Sequence, residues 1–278
     1  MLFGSDFKGD TLMRLTRLTY RGVIILAYLV MLLPVFLLVL TSFFKDTIIT
    51  FPPSGFSLEW YANAIDREEF LSGFFVSFKV AALATIIGVP LGMAAALALT
   101  RSAIRGKQAI TTFLLGPIIV PGIVAGTALY LTFLLAQNQL DMDIVGTLPG
   151  LVAAHILLTI PWTVRVATAG LQGLDKSIEE AAANLGARPW TVFVRVTLPM
   201  MRPAIVAASM FSFIQSFENL ELTLLLVGPG MSTLPIAMLN YLEFQIDPTL
   251  AAVATIQVVV IAAMMLITDR YVKLSRIV

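Results

Sequence analysis

Three polar side chains interrupt an apolar stretch in the last third of the chain: Gln215, Glu218 and Glu221. They are three residues apart, and side chains at this spacing share one face of a helix. A charged side chain at the centre of a bilayer costs about 2.5–3.5 kcal/mol on insertion scales, so such groups face a bundle interior, water or a partner. The stripe is predicted to line a substrate path, and its two carboxylates suit a cationic substrate. The alternative interpretation is a structural hydrogen-bond network that includes Asn219.

His155 is the single histidine of the chain and falls in a predicted membrane span. It is a candidate for the same substrate path, although a lone histidine on an apolar helix is more often a hydrogen-bonded packing residue. The chain has no cysteine, which excludes disulfides and thiolate ligands. No clustered ligand set indicates a metal centre, and neither an HExxH nor a GxSxG motif indicates catalytic residues. A Walker A loop is also absent from the sequence, so the chain cannot hydrolyse ATP by that route.

Composition predicts the elements that position these residues. Hydrophobic residues make up 58% and charged residues 13% of the 278 residues, against averages of about 45–50% and about 25% in soluble domains. A helix needs about 20 apolar residues to cross a bilayer, and six segments qualify: 23–43, 74–99, 109–136, 144–164, 204–227 and 250–267. We expect an all-α polytopic membrane protein with six transmembrane helices, a core of five preceded by an N-terminal helix. The first segment exceeds the roughly 7–15 apolar residues of a signal peptide, so it is predicted to be a retained anchor.

Lysine and arginine positions predict the orientation of these spans, because loops rich in them stay in the cytoplasm. Fifteen of the 18 lie in four places: the N-terminus, the loops 100–108 and 165–203, and the C-terminus. The termini 1–22 and 268–278 and the loop 173–203 are therefore predicted to be cytoplasmic, with the membrane domain occupying 23–267. The connections predicted on the opposite side are 44–73, 137–143 and 228–249.

Small residues and prolines predict helix packing and helix breaks. Small residues recur every four positions in the second span: Gly88, Gly92 and Ala96. This spacing lets helix backbones approach closely, and we expect it to serve packing within the chain. Pro117 and Pro121 each remove a backbone hydrogen bond, so the third span is predicted to kink. The aromatic pair Trp60 and Tyr61 is predicted to anchor a short helix at the membrane interface, with a solvated loop as the alternative.

The loop 173–203 begins with the local signals of a short helix. Asp175 or Ser177 is a suitable N-cap, and two glutamates fall in the first turn, where the helix dipole favours anions. The body of the helix is predicted to run from Ile178 to Leu185, with Gly186 at the position just after its end.

A second helix of the loop is predicted to begin with Pro189 at its first position and to end at Leu198-Pro199. The first helix carries small side chains, and such a helix fits a groove in a partner. A helix that lies unpartnered on the membrane surface is the alternative, but it would carry more basic residues.

The loop also contains a longer pattern, Glu-Ala-Ala followed by Gly and then by Val-x-Leu-Pro. Its spacing resembles the EAA loop of the permease subunits of bacterial ABC importers, and nearly the whole chain is similar to the spermidine/putrescine-type permeases. In that family the first loop helix inserts into a cleft of the ATPase subunit. The resemblance implies that the ATPase-coupling residues are Glu180, Ala181, Ala182, Gly186, Leu198 and Pro199.

The resemblance implies a non-catalytic permease subunit of an ATP-driven importer in the bacterial inner membrane, carrying a polyamine-like or other cationic solute. The implied partners are two ATPase subunits, a homologous second permease in a heterodimer, an extracytoplasmic substrate-binding protein and membrane lipid. Nucleic acid is not expected, because the net charge is only +1. No cofactor is expected in this chain, since ATP and Mg would be bound by the ATPase. Polyamine-type permeases carry acidic residues near the position of Glu218, whereas Glu221 has no such counterpart.

The alternative function is an ion-coupled secondary carrier that uses Glu218 and Glu221 as proton or cation sites. Such a carrier would not need a small-residue cytoplasmic loop, and the sequence shows no detectable inverted repeat. It would continue transport without any ATPase and would stop when an uncoupler is added.

Overall fold

The computed structural model describes residues 6–48 and 50–272, and within them helices are the regular structure and no β-strand occurs. The α-helices are α1 (Asp6–Thr41), α2 (Glu59–Asp66), α3 (Glu68–Arg101), α4 (Lys107–Ile119), α5 (Gly122–Leu140), α6 (Leu148–Gln172), α7 (Lys176–Asn184), α8 (Pro189–Val192), α9 (Leu198–Met200), α10 (Arg202–Phe217), α11 (Leu234–Phe244) and α12 (Thr249–Val272). A π-helical turn, Phe193–Thr197, joins α8 to α9, and a 3₁₀ turn, Thr223–Leu225, follows α10. The predicted all-α class is confirmed. The ends of the predicted cytoplasmic termini, 1–5 and 273–278, lie outside the described residues.

Five described helices are long and apolar enough to cross a membrane: α1 from Thr16 onward, α3, α5, α6 and α12. A sixth span results if Pro189–Met200 and α10, which meet at a bend of 68°, count as one. The predicted six spans are therefore found when this bent pair is counted as one span. Two predicted spans have other extents, because 109–136 is divided between α4 and α5 and 204–227 leaves the helix at Phe217.

The division of the third span lies at Val120-Pro121. Pro121 has no N–H for the helical hydrogen-bond ladder, and Val120 before it takes the extended conformation that a residue preceding proline favours (φ −74°, ψ 130°). Helix α4 continues through Pro117. The predicted kink is therefore found at the second proline and not at the first.

The chain divides into two compact units: Met1–Ala64 with Ile246–Gln257, and Ile65–Gln245 with Val258–Val278. In the first, the N-terminal unit, Trp60 is buried and its indole N–H donates to the carbonyl of Phe44 over 2.6 Å. The hydroxyls of Tyr61 and Ser42 lie 2.6 Å apart. The predicted short helix is found as α2, and the polar groups of Trp60 and Tyr61 bond inside the unit.

In the second unit, the core unit, helices α3, α6 and α10 pack closely. A β-carbon at Gly88 of α3 would collide with Thr159 of α6, and one at Gly92 would collide with Thr163. The hydroxyl of Thr163 in turn lies 3.0 Å from that of Ser212 on α10, and both are buried. The small residues therefore serve packing within the chain, as predicted.

Helix α11 lies in the connection 228–249, which contains no predicted helix. The N–H of Leu234, in the first turn of α11, donates to the hydroxyl of Ser77 on α3 over 2.9 Å. Gly73 of α3 leaves room for this approach, since a β-carbon there would lie 3.1 Å from the backbone of Leu234. Sequence reasoning misses α11 because its 11 residues are too few for the membrane-span criterion.

Candidate functional site

Helix α7 forms the first part of the loop 173–203 and has the N-cap that the sequence indicates. Oδ1 of Asp175 accepts the N–H of Ser177 over 2.9 Å. This backbone hydrogen bond holds the pKa of Asp175 below its ordinary value of 3.8, because it favours the ionised carboxylate. Of the two predicted caps, Asp175 is therefore the one used.

The end of α7 is closed by Gly186, which takes the left-handed conformation with φ +85°. The N–H of Gly186 donates to the carbonyl of Ala183 over 2.9 Å, and the N–H of Ala187 donates to that of Ala182 over 3.2 Å. These two bonds are the Schellman motif. A β-carbon at position 186 would meet nothing within 4 Å, so the backbone conformation and not the space requires glycine. The prediction that Gly186 follows the end of the helix is confirmed.

Two adjacent glutamates of α7 have different surroundings. Oε2 of Glu179 lies 2.9 Å from Nε of Arg101 at the end of α3, and Oε1 accepts the hydroxyl of Thr197 over 2.8 Å. The side chain of Glu179 is 17% exposed. The side chain of Glu180 is 62% exposed and pairs with Lys176 of the same helix at 3.4 Å. Glu179 thus joins α7 to the end of α3 and to the π-helical turn, whereas the predicted coupling residue Glu180 faces outward.

The outward surface of the loop combines small and large apolar side chains. No residue of α7 is buried. Leu185, the C-cap of α7, is 89% exposed and Trp190 of α8 is 73% exposed. Large apolar side chains this exposed in one loop are candidates for contact with a partner or a membrane. The sequence pattern does not single out Leu185 or Trp190, since an apolar residue at a helix end looks like a packing residue.

The second helix of the loop begins at Pro189 as predicted, but it does not end at Leu198-Pro199. Pro199 lacks an N–H, and its ring crowds the carbonyl one turn earlier. The chain widens into a π-helical turn here, in which the N–H of Leu198 reaches the carbonyl of Phe193. The helix then continues to Met200 before the 68° bend. Leu198 and Pro199, two of the predicted coupling residues, are both exposed.

The three predicted path residues do not form a stripe on one helix. Helix α10 ends at Phe217, Glu218 is its C-cap, and Glu221 lies in the irregular segment that follows. The cause is Asn219, whose side-chain oxygen accepts the N–H three residues onward over 3.0 Å and starts a new turn in place of the helix. The predicted helical face and the predicted extent 204–227 are therefore wrong.

Glu218 and Glu221 are nevertheless exposed, and Gln215 is partly buried. Glu221 packs on the start of α5, because a β-carbon at Gly122 would collide with its side chain. A β-carbon at Gly126 would lie 3.1 Å from the backbone of the same irregular segment. The break after α10 thus lies against the break between α4 and α5, and discontinuous helices of this kind often border substrate sites in transporters.

His155 is not a residue of the substrate path. It is 1% exposed, its Nδ1 lies 2.7 Å from the hydroxyl of Ser216, and its Nε2 lies 3.1 Å from that of Thr223. The hydroxyl proton of Thr223 is donated to the carbonyl of Asn219, so Nε2–H donates to Thr223 and Nδ1 accepts from Ser216. The prediction of His155 in the path is wrong because both ring nitrogens are used inside the fold. The alternative, a hydrogen-bonded packing residue, is the one observed.

A groove of about 720 Å³ lies between α6 and the α9–α10 region. Trp162 and Phe211, which both line it, are stacked with ring centroids 6.5 Å apart, and Arg165 forms part of its wall. The four predicted path residues are not among its lining residues. In the part of the chain that the structure describes, no three His, Asp or Glu side chains are grouped as a metal site requires.

Comparisons with known proteins agree with this architecture. A family model described as binding-protein-dependent transport system inner membrane component matches residues 88–276. The chain is 29% identical to the putrescine transport system permease protein PotI of Escherichia coli (strain K12), over 84% of this chain and 83% of that protein. It is 27% identical to the spermidine/putrescine transport system permease protein PotC of the same organism, over 91% of this chain and 96% of that protein. A solved bacterial ABC transporter involved in import of the acidic polysaccharide alginate has a similar fold, with a TM-score of 0.72 at 20% identity, covering 96% of this chain and 97% of that chain.

Proposed function

This chain belongs to the family of binding-protein-dependent transport system inner membrane components, and from that premise we propose that its loop 173–203, the coupling loop, docks onto an ATPase subunit. The chain is a permease subunit of an ABC importer, a multi-pass inner-membrane protein that is itself not an enzyme. It is homologous to the polyamine permeases PotI and PotC. The family favours this function over the ion-coupled carrier considered from the sequence.

The observation that carries the docking proposal is the exposed, fully capped helix α7. Asp175 closes its start and Gly186 closes its end, so its shape is complete before any partner is present. A preformed element loses little conformational freedom on binding. Glu180, Ala181 and Leu185 are exposed on it, and we assign them the contact with a cleft of the ATPase.

The other coupling residues have supporting roles in this proposal. Ala182 supplies one of the carbonyls that close the helix, and Gly186 supplies the left-handed turn. Leu198 and Pro199 shape the π-helical turn that connects the loop to α10. ATP and Mg are bound by the ATPase, and this chain contributes the contact that senses them.

The proposed orientation places the coupling loop and the termini 1–22 and 268–278 in the cytoplasm, with 23–267 as the membrane domain. The support is the distribution of Lys and Arg in the sequence. The chain has no cysteine, so a single Ala103→Cys variant in the loop 100–108, at an exposed position outside the docking surface, reports on one site alone. A membrane-impermeant maleimide should label it in inside-out vesicles and not in intact cells, and labelling in intact cells would contradict the orientation.

The proposed complex contains two ATPase subunits, a homologous second permease that forms a heterodimer with this chain, and an extracytoplasmic binding protein. The family description, which names binding-protein-dependent transport, supports the last of these. Purification of the intact complex and measurement of its subunit masses test the composition. A complex with two copies of this chain and no second permease would contradict the heterodimer.

The proposed cargo is a polyamine or another small organic cation. PotI and PotC are named for putrescine and spermidine transport, and the exposed carboxylates of Glu218 and Glu221 lie where two discontinuous helices meet. We assign Gln215, Glu218 and Glu221 to the substrate path. One carboxylate that contacts a cation contributes about 1.5 kcal/mol, which is about a tenfold change in affinity.

Docking is tested by copurification of the ATPase with the double variant Glu180→Ala, Gly186→Asp. We expect the variant to insert in the membrane normally and to lose the ATPase. Gly106→Asp is the matched control, because Gly106 is also left-handed with φ +75°, lies in a different loop and likewise has open space around it. Retention of the ATPase and normal transport by the double variant would refute the docking proposal.

Cargo is tested by uptake of labelled putrescine and spermidine into cells that carry Glu218→Gln. Uptake should weaken about tenfold through a higher KM, while the amount of assembled complex stays the same. Glu59→Gln, which alters an exposed glutamate of α2, serves as the control. Unchanged uptake kinetics in Glu218→Gln would remove this residue from the substrate path.

A further inference from the structure

Helix α3 is the longest element of the core unit and is held at both ends. Its 34 residues form one helix that continues through Pro90. At about 1.5 Å per residue it is about 51 Å long, which exceeds the apolar core of a bilayer of about 30 Å. One helix therefore reaches from the coupling loop to the far side of the membrane domain.

The end of α3 nearest the coupling loop is joined to α7 by an ion pair. Nε of Arg101 lies 2.9 Å from Oε2 of Glu179, and Nη2 donates to Oε1 over 3.4 Å. The two side chains are 23% and 17% exposed, so salt screens this pair less than a surface pair. Thr197 donates to the same carboxylate from the π-helical turn. The carboxylate of Glu179 thus joins α3, α7 and the start of the bent span.

The opposite end of α3 is joined to α11. Arg67, at the N-cap of α3, donates to Oε1 of Gln245 over 2.9 Å, and its guanidinium lies 4.7 Å from the ring centre of Tyr241. Ten residues further along α3, Ser77 accepts the N–H of Leu234 at the other end of α11. Helix α11 is therefore fixed to α3 at its first turn and again at its end.

The middle of α3 packs so closely against α6 that no space is left for additional side-chain atoms. Gly88 and Gly92 bring the two backbones together so closely that a β-carbon at either position would collide with α6. Close-packed interiors transmit displacement because they have little free volume to absorb it. A movement applied at Arg101 is therefore carried along α3 to its other end.

We propose that α3 transmits the movement of α7 to α11, and that the Arg101–Glu179 ion pair is the joint through which the movement enters. The proposal rests on the docking of α7 to the ATPase, and it adds the route by which docking reaches the opposite side of the membrane domain. Glu179 is a positioning residue in this scheme: it contacts neither ATP nor cargo. Its neighbour Glu180 meets the ATPase, and Glu179 connects that contact to the rest of the protein.

The test follows α11 directly in the purified complex with its ATPase subunits. Because this chain has no cysteine, Glu243→Cys places one thiol on an exposed position of α11. The rate of maleimide labelling of this thiol is measured with and without Mg-ATP. The parent complex should show an ATP-dependent change in rate. Glu179→Gln and Arg101→Gln should reduce that change about tenfold, with the ATPase still bound.

The conservative variant Glu179→Gln keeps an oxygen for Thr197 and removes only the charge. Arg105→Gln is its matched control, because Arg105 is an exposed arginine four residues beyond Arg101, and it should respond to ATP as the parent does. The exchanged pair Glu179→Arg with Arg101→Glu should regain the response, because it restores an ion pair between the two positions. Loss of the response in Glu179→Gln while the ATPase stays bound is the result that a merely structural role would not give.

Each outcome decides between the two proposals. If the parent retains its ATPase and responds to ATP, but Glu179→Gln responds equally, the transmission through α3 is refuted and docking stands. Loss of the ATPase in Glu179→Gln would show that the ion pair only builds the loop and would also refute transmission. A parent complex that does not bind any ATPase would refute docking, and transmission with it.

Discussion

The coupling loop and the irregular segment 218–233 both interrupt the helices of the core unit, but they arrange their polar groups in opposite ways. In the loop, the helix is closed by its own caps and one carboxylate, Glu179, fixes it to the rest of the unit. In the segment, Asn219 and Thr223 are bonded to neighbours, and Thr223 contacts the buried His155. The loop therefore carries an exposed, capped helix that few contacts hold to the rest of the unit. The segment, in contrast, belongs to the interior and exposes only a few side chains.

Because of this difference, we expect substitutions in the two regions to affect different properties of the protein. A substitution on the exposed face of the loop should change binding and leave stability almost unaffected. A substitution in the segment should change stability first, unless it alters Glu218 or Glu221.

The largest effect is expected for His155→Ala. The variant removes two buried hydrogen bonds, leaves the hydroxyls of Ser216 and Thr223 without the ring between them, and opens a cavity. The cost is about 3–5 kcal/mol, measured as a lower Tm of the detergent-purified protein. Glu180→Ala on the loop should leave the Tm unchanged, and an equal loss in both variants would abolish the contrast between the two regions.

A smaller effect is expected where the segment lies against α5. Gly126→Ala places a methyl group 3.1 Å from the backbone of the segment, and such overpacking should cost about 1–2 kcal/mol. Gly116→Ala is the matched control, because a β-carbon at Gly116 meets nothing within 4 Å and alanine favours a helix by about 0.5–1 kcal/mol. The two variants should therefore shift Tm in opposite directions. A shift of the same sign would show that the segment does not fit closely on α5.

The next effect is confined to the loop. Gly186→Ala forces a β-carbon into the left-handed conformation, which costs about 1–2 kcal/mol, but the strain falls on the end of α7 alone. The global Tm should stay unchanged while the affinity for the ATPase, measured by titration, falls about five- to thirtyfold. Gly106→Ala carries the same strain in the loop 100–108 and should leave ATPase affinity unchanged. An equal loss of affinity in both would mean that left-handed strain acts through the whole protein.

The smallest effect concerns pH. The pKa of Asp175 is lowered by the backbone hydrogen bond from Ser177, so the ionised cap stabilises α7 at and above the ordinary carboxyl range and loses this contribution as the pH falls through the lowered pKa. Hydrogen exchange of the first amides of α7 should therefore show weaker protection at acid pH. Asp175→Asn keeps a capping oxygen without the titration, and its protection should not depend on acid pH; identical pH profiles would refute the assignment.

Much of the coupling loop is predictable from sequence because its signals are local. Asp175, Gly186 and Pro189 each act within a few residues of their own position, and each does in the structure what its type predicts. The end of the second helix is not predicted, since the π-helical turn that absorbs Pro199 depends on how the chain enters α10. The role of Glu179 is likewise hidden, because its partner Arg101 is 78 residues away.

The irregular segment is predicted poorly for a related reason. The spacing of Glu218 and Glu221 describes a helical face only if the helix continues, and Asn219 between them ends it. Asn219 is recognised in the sequence as a polar neighbour, but its capping role depends on the turn it starts. Helix α11 is not predicted from the sequence because its position depends on the contact with α3. An apolar run of 11 residues does not indicate that contact by itself.

The hydroxyl of Ser77 that accepts the N–H of Leu234 has a consequence for how the protein is made. The two residues are 157 positions apart, so α3 is synthesised long before α11. The first turn of α11 has its acceptor only when α3 is already in place, and an unmet N–H buried in the protein costs about 1–3 kcal/mol. We therefore expect an order of assembly in which α3 is in place first and α11 packs on it later.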